Sequence, residues 1–303
     1  MRARLTLGPL FFHWPADKVR DFYFRIADEA AIDSVCVGEV VCAKRMPFLA
    51  PYLAAIVERL EAGGKEVMLS SLALISTARE WALMDELAAD GDRLVEANEI
   101  GIAHRLAGRP HAIGPLVNVY NEDTLAFFAA RGAERICLPV ELPCASIVRL
   151  ASHTSLELEV QAFGRLPLAI SARCFHARAH RRHKDGCQFV CANDSDGLAV
   201  HTLENEPFLA INGTQTMSHT CVNLTGDIAA LRRAGITRFR LSPHSIDMVR
   251  VAEVFRRVLE GEGSAAEASA QLARLAPAMT FANGFLHATA GRELREALSR
   301  PAE

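Results

Sequence analysis

Short apolar runs rich in β-branched residues alternate along the chain with longer amphipathic runs. The short runs predict strands at residues 5–10, 34–38, 66–74, 93–97, 111–119, 135–140, 156–163, 208–211 and 238–241. The longer runs place apolar residues at helical spacing, as Val19, Phe22, Ile26 and Ala30 do. They predict helices at residues 18–30, 48–62, 80–89, 99–107, 123–131, 145–153 and 248–260.

This alternation predicts an α/β fold built on parallel strands. Strands separated by helices pair in parallel through right-handed crossovers, and about eight such units fit a (β/α)8 barrel of the TIM type. A doubly wound open sheet is the alternative, because the pattern does not show closure. We assign residues 1–260 to the barrel, including a cysteine-rich segment at 172–195, and residues 261–303 to a C-terminal helical extension.

Functional side chains of such barrels gather at the carboxyl ends of the strands. Polar and thiol residues that follow or end the predicted strands are Glu39, Cys42, Ser70, Ser71, Glu96, Asn98, Asn118, Asn121, Glu141, Arg173 and Cys174. Glu39 and Glu141 are candidates for an acid/base pair, and Arg173 is a third catalytic candidate. Each carboxylate could equally cap a helix or pair with Arg45 or Arg173. No G-x-S-x-G or H-E-x-x-H motif occurs, so hydrolysis has little support.

Composition narrows the class of protein. Half of the 303 residues are apolar and the formal net charge is −3, which gives nucleic-acid binding little electrostatic support. No apolar run approaches bilayer length, and Gly8, Pro9 and His13 break the N-terminal apolar stretch, unlike in a signal peptide. We therefore expect a cytoplasmic protein. Eight cysteines in such a chain indicate metal binding or catalysis in a reducing compartment rather than a disulfide scaffold.

Three cysteines form the densest group of soft metal ligands in the sequence. Cys174, Cys187 and Cys191 follow the pattern C-x12-C-x3-C. Cys42 follows the second predicted strand, just before Lys44-Arg45, and completes a set of four. Four thiolates suit an iron–sulfur cluster or zinc, and the spacing alone does not separate these two occupants.

The histidines and the remaining cysteines have simpler interpretations. His176, His180 and His183 allow a zinc site of three cysteines and one histidine, but the segment 175–184 also fits a solvated basic loop. Cys36 and Cys137 lie inside predicted strands and are expected to be small buried hydrophobic residues. Cys144 begins a helix without an assigned base, and Cys221 has no informative context.

Several segments resemble the U32 "collagenase-like peptidase" family. They are LGP (7–9), GEVVCAKR (38–45), LAL (72–74), VEA (95–97), NVYN (118–121), LPVEL (138–142), EVQAFGRLPLAISARC (159–174), NGTQTMS (212–218) and RLSP (240–243). The resemblance covers roughly residues 1–290 and is most specific between Cys174 and Cys191. It is strongest to the UbiV branch of the family, which serves oxygen-independent ubiquinone biosynthesis.

The resemblance implies a barrel-like fold and a 4Fe-4S cluster held by Cys42, Cys174, Cys187 and Cys191, at the carboxyl ends of the strands. It implies a heterodimer with a homologous U32 protein, UbiU, and a shared pathway with a lipid-binding accessory protein, UbiT. The implied role is hydroxylation of the aromatic ring of a prenylated quinone precursor without O2. The alternatives are a U32-type peptidase with a structural metal site, or a non-catalytic scaffold that carries the cluster.

Overall fold

A computed structural model describes residues 2–298, within which eight parallel strands close into a barrel. The first seven strands alternate with helices. Their bounds are β1 Arg4–Leu7, α1 Ala16–Glu29, β2 Ser34–Val37, α2 Met46–Ala62, β3 Glu66–Ser70, α3 Ala78–Ala88, β4 Leu94–Ala97, α4 Ile100–Arg105, β5 His111–Ile113, α5 Glu122–Ala129, β6 Ala133–Cys137, α6 Cys144–Ser152 and β7 Glu157–Ile170.

The rest of the described chain adds a sheet extension, the eighth barrel strand and a C-terminal segment. The bounds are α7 Phe175–Ala179, β8 Leu198–His201, β9 Pro207–Asn212, β10 Gln215–Asn223, α8 Ile228–Arg233, β11 Arg238–Leu241, α9 Met248–Glu260, α10 Ala265–Leu275 and β12 Phe281–Ala282. Short 3-10 helices lie at Ala43–Arg45, Pro115–Val117 and Val190–Asn193.

Parallel pairing on both sides of β11 closes the barrel. The strand pairs with β1 through Arg238↔Arg4 and with β7 through Arg238↔Glu159. The predicted (β/α)8 barrel is therefore confirmed, and the open-sheet alternative is not.

A partner switch in β7 builds the sheet extension. The strand pairs with β11 in parallel as far as Phe163 and then, from Phe163 to Ile170, with β10 in antiparallel fashion. Gly164 lies at this switch with φ +101°, and a Cβ there would stand 2.8 Å from the Cβ of Ser242. Glycine is suited to this position because it accepts both the backbone conformation and the close approach. The extension continues through β9 and β8.

Six strand predictions need correction. Those at 5–10, 66–74 and 135–140 end three or four residues too late, because β1, β3 and β6 end at Leu7, Ser70 and Cys137. Residues 208–211 do form a strand, but as β9 they belong to the antiparallel extension and not to the barrel. The predicted strand at 111–119 ends at Ile113, because Gly114-Pro115 leads into a 3-10 helix and Pro115 has no N–H to continue a ladder. The strand predicted at 156–163 is longer, since β7 extends to Ile170.

Charged side chains fill much of the barrel interior. Arg238 and Arg135 lie between Glu66 and Glu157, with an Arg238 Nε to Glu157 Oε2 distance of 2.7 Å. One layer further along, Arg240 Nη2 donates to Glu96 and, at 3.0 Å, to Glu159 Oε2. Phe239, which lies between Arg238 and Arg240 in β11, is fully buried in the main hydrophobic core.

The C-terminal segment lies against the barrel and its extension. Helix α10 packs on α9, and β12 pairs with β10 through Cys221↔Phe281. Asp227 accepts hydrogen bonds from the Asn283 side chain at 3.0 Å and from the Leu298 backbone N–H at 2.9 Å. Met1 and residues 299–303, which belong to the two predicted units, lie outside the described residues. No helix in the described range has the length and apolar character needed to cross a bilayer.

Candidate metal centre

The cysteine-rich segment belongs to the connection between β7 and β8. Cys174 is the N-cap of α7, where its Sγ accepts a hydrogen bond from the backbone N–H of Ala177 at 3.4 Å. Cys187 precedes the 3-10 helix Val190–Asn193, which contains Cys191. These short helical turns fold the C-x12-C-x3-C segment back on itself.

Cys42 comes from the loop after β2, far away in the sequence. The Glu39 carboxylate shapes this loop, because its Oε1 accepts hydrogen bonds from the backbone N–H groups of Val41 at 2.8 Å and Cys42 at 2.9 Å. The loop is also tied to the sheet extension, since Thr214 Oγ1 donates to the Val41 carbonyl at 2.8 Å. Two separate parts of the chain thus hold Cys42 in place.

One cavity is lined by all four predicted cluster ligands. Its lining residues are Cys42, Lys44, Arg45, Cys174, Lys184, Cys187, Phe189, Val190, Cys191 and Gly213. Cys191 is buried and the other three cysteines are partly buried. No group of three or more His, Cys, Asp or Glu side chains in residues 2–298 is arranged to hold a metal ion. The fold nevertheless brings the four thiols to the lining of one cavity.

Arg45 is a buried cation beside these thiols. Its Nη1 donates to the Phe11 carbonyl at 2.8 Å and its Nη2 to Asn212 Oδ1 at 2.9 Å. The Glu39 carboxylate lies 3.9 Å from Nη1. A Cβ at position 213 would stand 2.6 Å from Nη2, so Gly213 leaves room for the guanidinium. Because Gly213 and Arg45 both line the cavity, the space beside the thiols depends on this pair.

Burial and charge act in opposite directions on the thiols. Burial raises the pKa values of Cys42 and Cys191, while the nearby Arg45 guanidinium opposes the rise at both. Metal ligation requires thiolates, which a neighbouring cation stabilises. Four soft donors on one cavity, with a buried positive charge beside them, fit a thiolate-bound metal group.

The three histidines of the segment lie apart from this cavity. His176 is fully buried, and its Nε2 lies 2.9 Å from Asp194 Oδ2. Burial lowers the pKa of His176, and Asp194 opposes this effect. The His180 ring stacks on the His176 ring, with 5.5 Å between the centroids. None of the three, including the exposed His183, is among the described residues that line the cavity.

The catalytic candidates are not brought together. Glu39 is partly buried beside Arg45, with its side chain 10% exposed, and burial raises the pKa of its carboxyl group. Glu141 is exposed and accepts a hydrogen bond from the Tyr120 hydroxyl. Arg173 is also exposed, and its backbone N–H donates to Ser171 Oγ at 3.1 Å. Glu39 is thus the candidate that adjoins the cysteine cavity.

The other four cysteines lie elsewhere. Cys36 and Cys137 are buried in barrel strands, Cys221 is buried in β10, and Cys144 begins α6. Burial raises the pKa values of Cys36 and Cys137 strongly, which makes them poor thiolates.

Two features of the site were missed in the sequence. The sequence places the positive charge of Arg45 near Cys42, but the local pattern does not indicate that Arg45 is buried. Gly213 and Thr214 form the turn between β9 and β10, and an Asn-Gly pair at 212–213 between apolar runs is a strong hairpin signal that could have located this turn to within one residue. The contact of this turn with Arg45 has no sequence signal.

Comparison with known proteins identifies a family and finds solved structures that are similar to this chain. Peptidase family U32 matches residues 22–296 of the chain. The chain is also similar to one in an X-ray crystal structure of the tryptophan synthase complex from Pyrococcus furiosus, with 10% identity, a TM-score of 0.39, and coverage of 91% of this chain and 100% of that one. A similarity this low carries no argument, so the fold rests on the strand pairings.

Proposed function

The chain belongs to Peptidase family U32, and from this premise we propose that it is the iron–sulfur subunit of a system that hydroxylates an aromatic ring without O2. The substrate is a prenylated ubiquinone precursor, and the branch of the family is the UbiV-like one. The resemblance of segments such as residues 38–45 and 159–174 supports this branch.

The convergence of Cys42, Cys174, Cys187 and Cys191 on one cavity carries the proposal. These residues would hold a 4Fe-4S cluster, which supplies one-electron chemistry when bound. Such a cluster takes one thiolate on each of four irons, so its ligands surround a larger body than one ion does. A zinc ion, by contrast, would need all four sulfurs about 2.3 Å from a single point.

Apolar surface beside the cavity supports a hydrophobic substrate. The exposed fractions of Phe48 and Phe175 are 41% and 42%. Phe48 packs edge-to-face against Phe189, a cavity residue, with 4.8 Å between the ring centroids. Large exposed aromatic groups of this kind commonly mark ligand or partner surfaces. We propose that this surface, completed by a UbiU-like homologue, receives the prenylated ring, which a UbiT-like lipid-binding protein delivers.

Metal analysis of anaerobically purified protein tests the proposal. We expect about four irons and four sulfides per chain and a broad brown absorption band that bleaches on reduction. Protein that contains zinc and takes up no iron, even after reconstitution, would contradict it.

Paired cysteine variants test the ligand set. Cys42→Ala should lower iron below about one per chain, as severely as Cys174→Ala, because each removes one ligand of the cluster. Cys36→Ala is the matched control and should keep the iron of the wild type, since Cys36 is buried in a barrel strand. A Cys42→Ala protein with normal iron would remove Cys42 from the ligand set.

Ring hydroxylation in cells separates the proposal from the hydrolase alternative. Cells that carry the Cys174→Ala variant should lose anaerobic quinone hydroxylation. Proteolytic activity that survives this substitution, together with intact quinone synthesis, would favour a peptidase with a structural metal site.

A further inference from the structure

Arg45 is held rigidly at the wall of the cysteine cavity. Its side chain is only 3% exposed and reaches three separate segments, through the Phe11 carbonyl, the Asn212 side chain and the Glu39 carboxylate. Asn212 Nδ2 also donates to the Phe11 carbonyl, at 2.6 Å, which fixes two of these partners to each other. The guanidinium therefore has little freedom to move away from the thiols.

The positive charge of Arg45 is only partly compensated by the protein. Its partner carboxylate, Glu39, lies 3.9 Å from Nη1 and already accepts two backbone hydrogen bonds. The two close acceptors of Arg45, the Phe11 carbonyl and the Asn212 amide oxygen, are neutral. Within residues 2–298 the buried Nε has no hydrogen-bond partner of normal geometry. A buried cation in this state needs additional negative charge nearby.

The thiols of the cavity are the groups that can supply this charge. Arg45 lines the same cavity as Cys42 and Cys191, so its fixed charge faces the space that these thiols share. Resting on the proposed cluster, we propose that Arg45 is a positioning residue that balances the negative charge of the cysteine ligands and sets the reduction potential of the site. Glu39 acts in the opposite sense, because it neutralises part of the Arg45 charge.

The sign of each effect follows from electrostatics. Reduction adds one negative charge to the thiolate-bound group, so a fixed cation nearby favours the reduced form and a fixed anion disfavours it. Removal of the Arg45 charge should make reduction harder. Removal of the Glu39 charge should make it easier. Residues outside the ligand set often tune metal centres in this way.

An anaerobic redox titration of the iron-loaded protein tests this pair of signs. We expect R45Q to lower the ratio of reduced to oxidised protein at a fixed potential by at least tenfold, which is about 59 mV for a one-electron couple. E39Q should raise the ratio by about threefold or more, because glutamine keeps an oxygen that can accept from Val41 and Cys42. K44Q is the control, since Lys44 is partly exposed and already paired with Asp185 at 3.1 Å. It should change the ratio less than either variant.

Iron content and thermal unfolding of each variant accompany the titration. If R45Q fails to fold or to bind iron, E39Q still decides the sign. The role of Arg45 is overturned if E39Q leaves the ratio of reduced to oxidised protein unchanged or lowers it. It is also overturned if iron-loaded R45Q has the same ratio as the wild type. In both cases, normal iron content of the wild type leaves the proposed function intact. Wild-type protein that takes up no iron overturns the proposed function, and this inference with it.

Discussion

The barrel interior and the cysteine cavity both bury arginine side chains, but they compensate the charge differently. In the barrel, Arg240 lies between two carboxylates, Glu96 and Glu159. In the cavity, Arg45 has neutral oxygens as its close acceptors and one carboxylate 3.9 Å away. Both guanidinium groups are at most 3% exposed, so solvent screens neither of them well.

This difference separates a charge network that stabilises the barrel from a single buried cation whose charge can act on the neighbouring thiols. In the barrel, each of three arginines (Arg135, Arg238 and Arg240) pairs with two carboxylates, and we expect these pairs to act on the stability and register of the strands. The charge of Arg45 remains available to the sulfur atoms beside it. We infer that buried arginines alone do not mark the site, whereas a buried arginine short of anionic partners does.

The largest expected loss of stability comes from removing a buried arginine of the barrel. Arg240→Met leaves Glu96 and Glu159 buried without their cation, and removal of one partner from a buried pair costs about 3–5 kcal/mol. Urea denaturation of the variant measures the loss. Arg250→Met, which breaks an exposed pair with Glu253 on α9, is the control and should leave the stability nearly unchanged. Equal stability of the two variants would show that the barrel charges are not structural.

Acidification should destabilise the protein through His13, which is buried beside Arg45. Burial, with Arg45 as a second cause, lowers the pKa of His13 from 6.5 to about 4. His13 therefore binds a proton below pH 6.5 in the unfolded chain but only below about pH 4 in the folded protein. The free energy of unfolding consequently decreases as the pH falls from 6.5 to about 4. The His13 contribution is about 3 kcal/mol between pH 7 and pH 4.

Urea denaturation at pH 7, 5 and 4 compares the wild type with His13→Phe. The variant should lose less stability than the wild type on acidification, because phenylalanine has no proton to bind. Identical pH profiles would mean that His13 does not titrate in this way.

The smallest effect concerns the space that Gly213 leaves for Arg45. Gly64→Ala places alanine at φ +72° with no atom within 4 Å of its Cβ, and Gly213→Ala places it at φ +64° with Arg45 Nη2 at 2.6 Å. Gly64→Ala should lower the free energy of unfolding by about 1 kcal/mol through backbone strain alone. Gly213→Ala should lower it by about 1–2 kcal/mol more, because the buried guanidinium must shift. Chemical denaturation of both variants checks this, and equal losses would show that Arg45 moves freely.

Much of the fold was predictable because its units are local. Helix periodicity and short apolar runs located the strand–helix units, and β11 and α9 were placed at their observed bounds. The choice of which strands pair with one another does not follow from local sequence. The strand at 208–211 has the composition of any other strand, and its pairing with β10 depends on the Gly213-Thr214 turn and the switch in β7.

The pattern of polar residues in the barrel strands does not reveal which face lies inside the barrel. In β11 the arginines Arg238 and Arg240 alternate with Phe239 and Leu241, a pattern that usually places polar residues in solvent. Here the arginines point into the barrel and the apolar residues are buried in the main hydrophobic core. Alternation fixes which residues share a face, but closure of the sheet decides which face meets water.

The sequence by itself determined the strand–helix order of an α/β fold and the group of cysteines that can act as soft ligands, because these follow from local periodicity and residue type. Closure into a (β/α)8 barrel was decided by the tertiary structure, through the pairing of β11 with both β1 and β7. The tertiary structure decided that Cys42 and the segment after β7 meet in one cavity, that Glu39 adjoins it while Glu141 does not, and that Arg45 is buried beside the thiols. The physical reason is that burial and charge compensation depend on contacts between distant parts of the chain, which exist only once the sheet has closed.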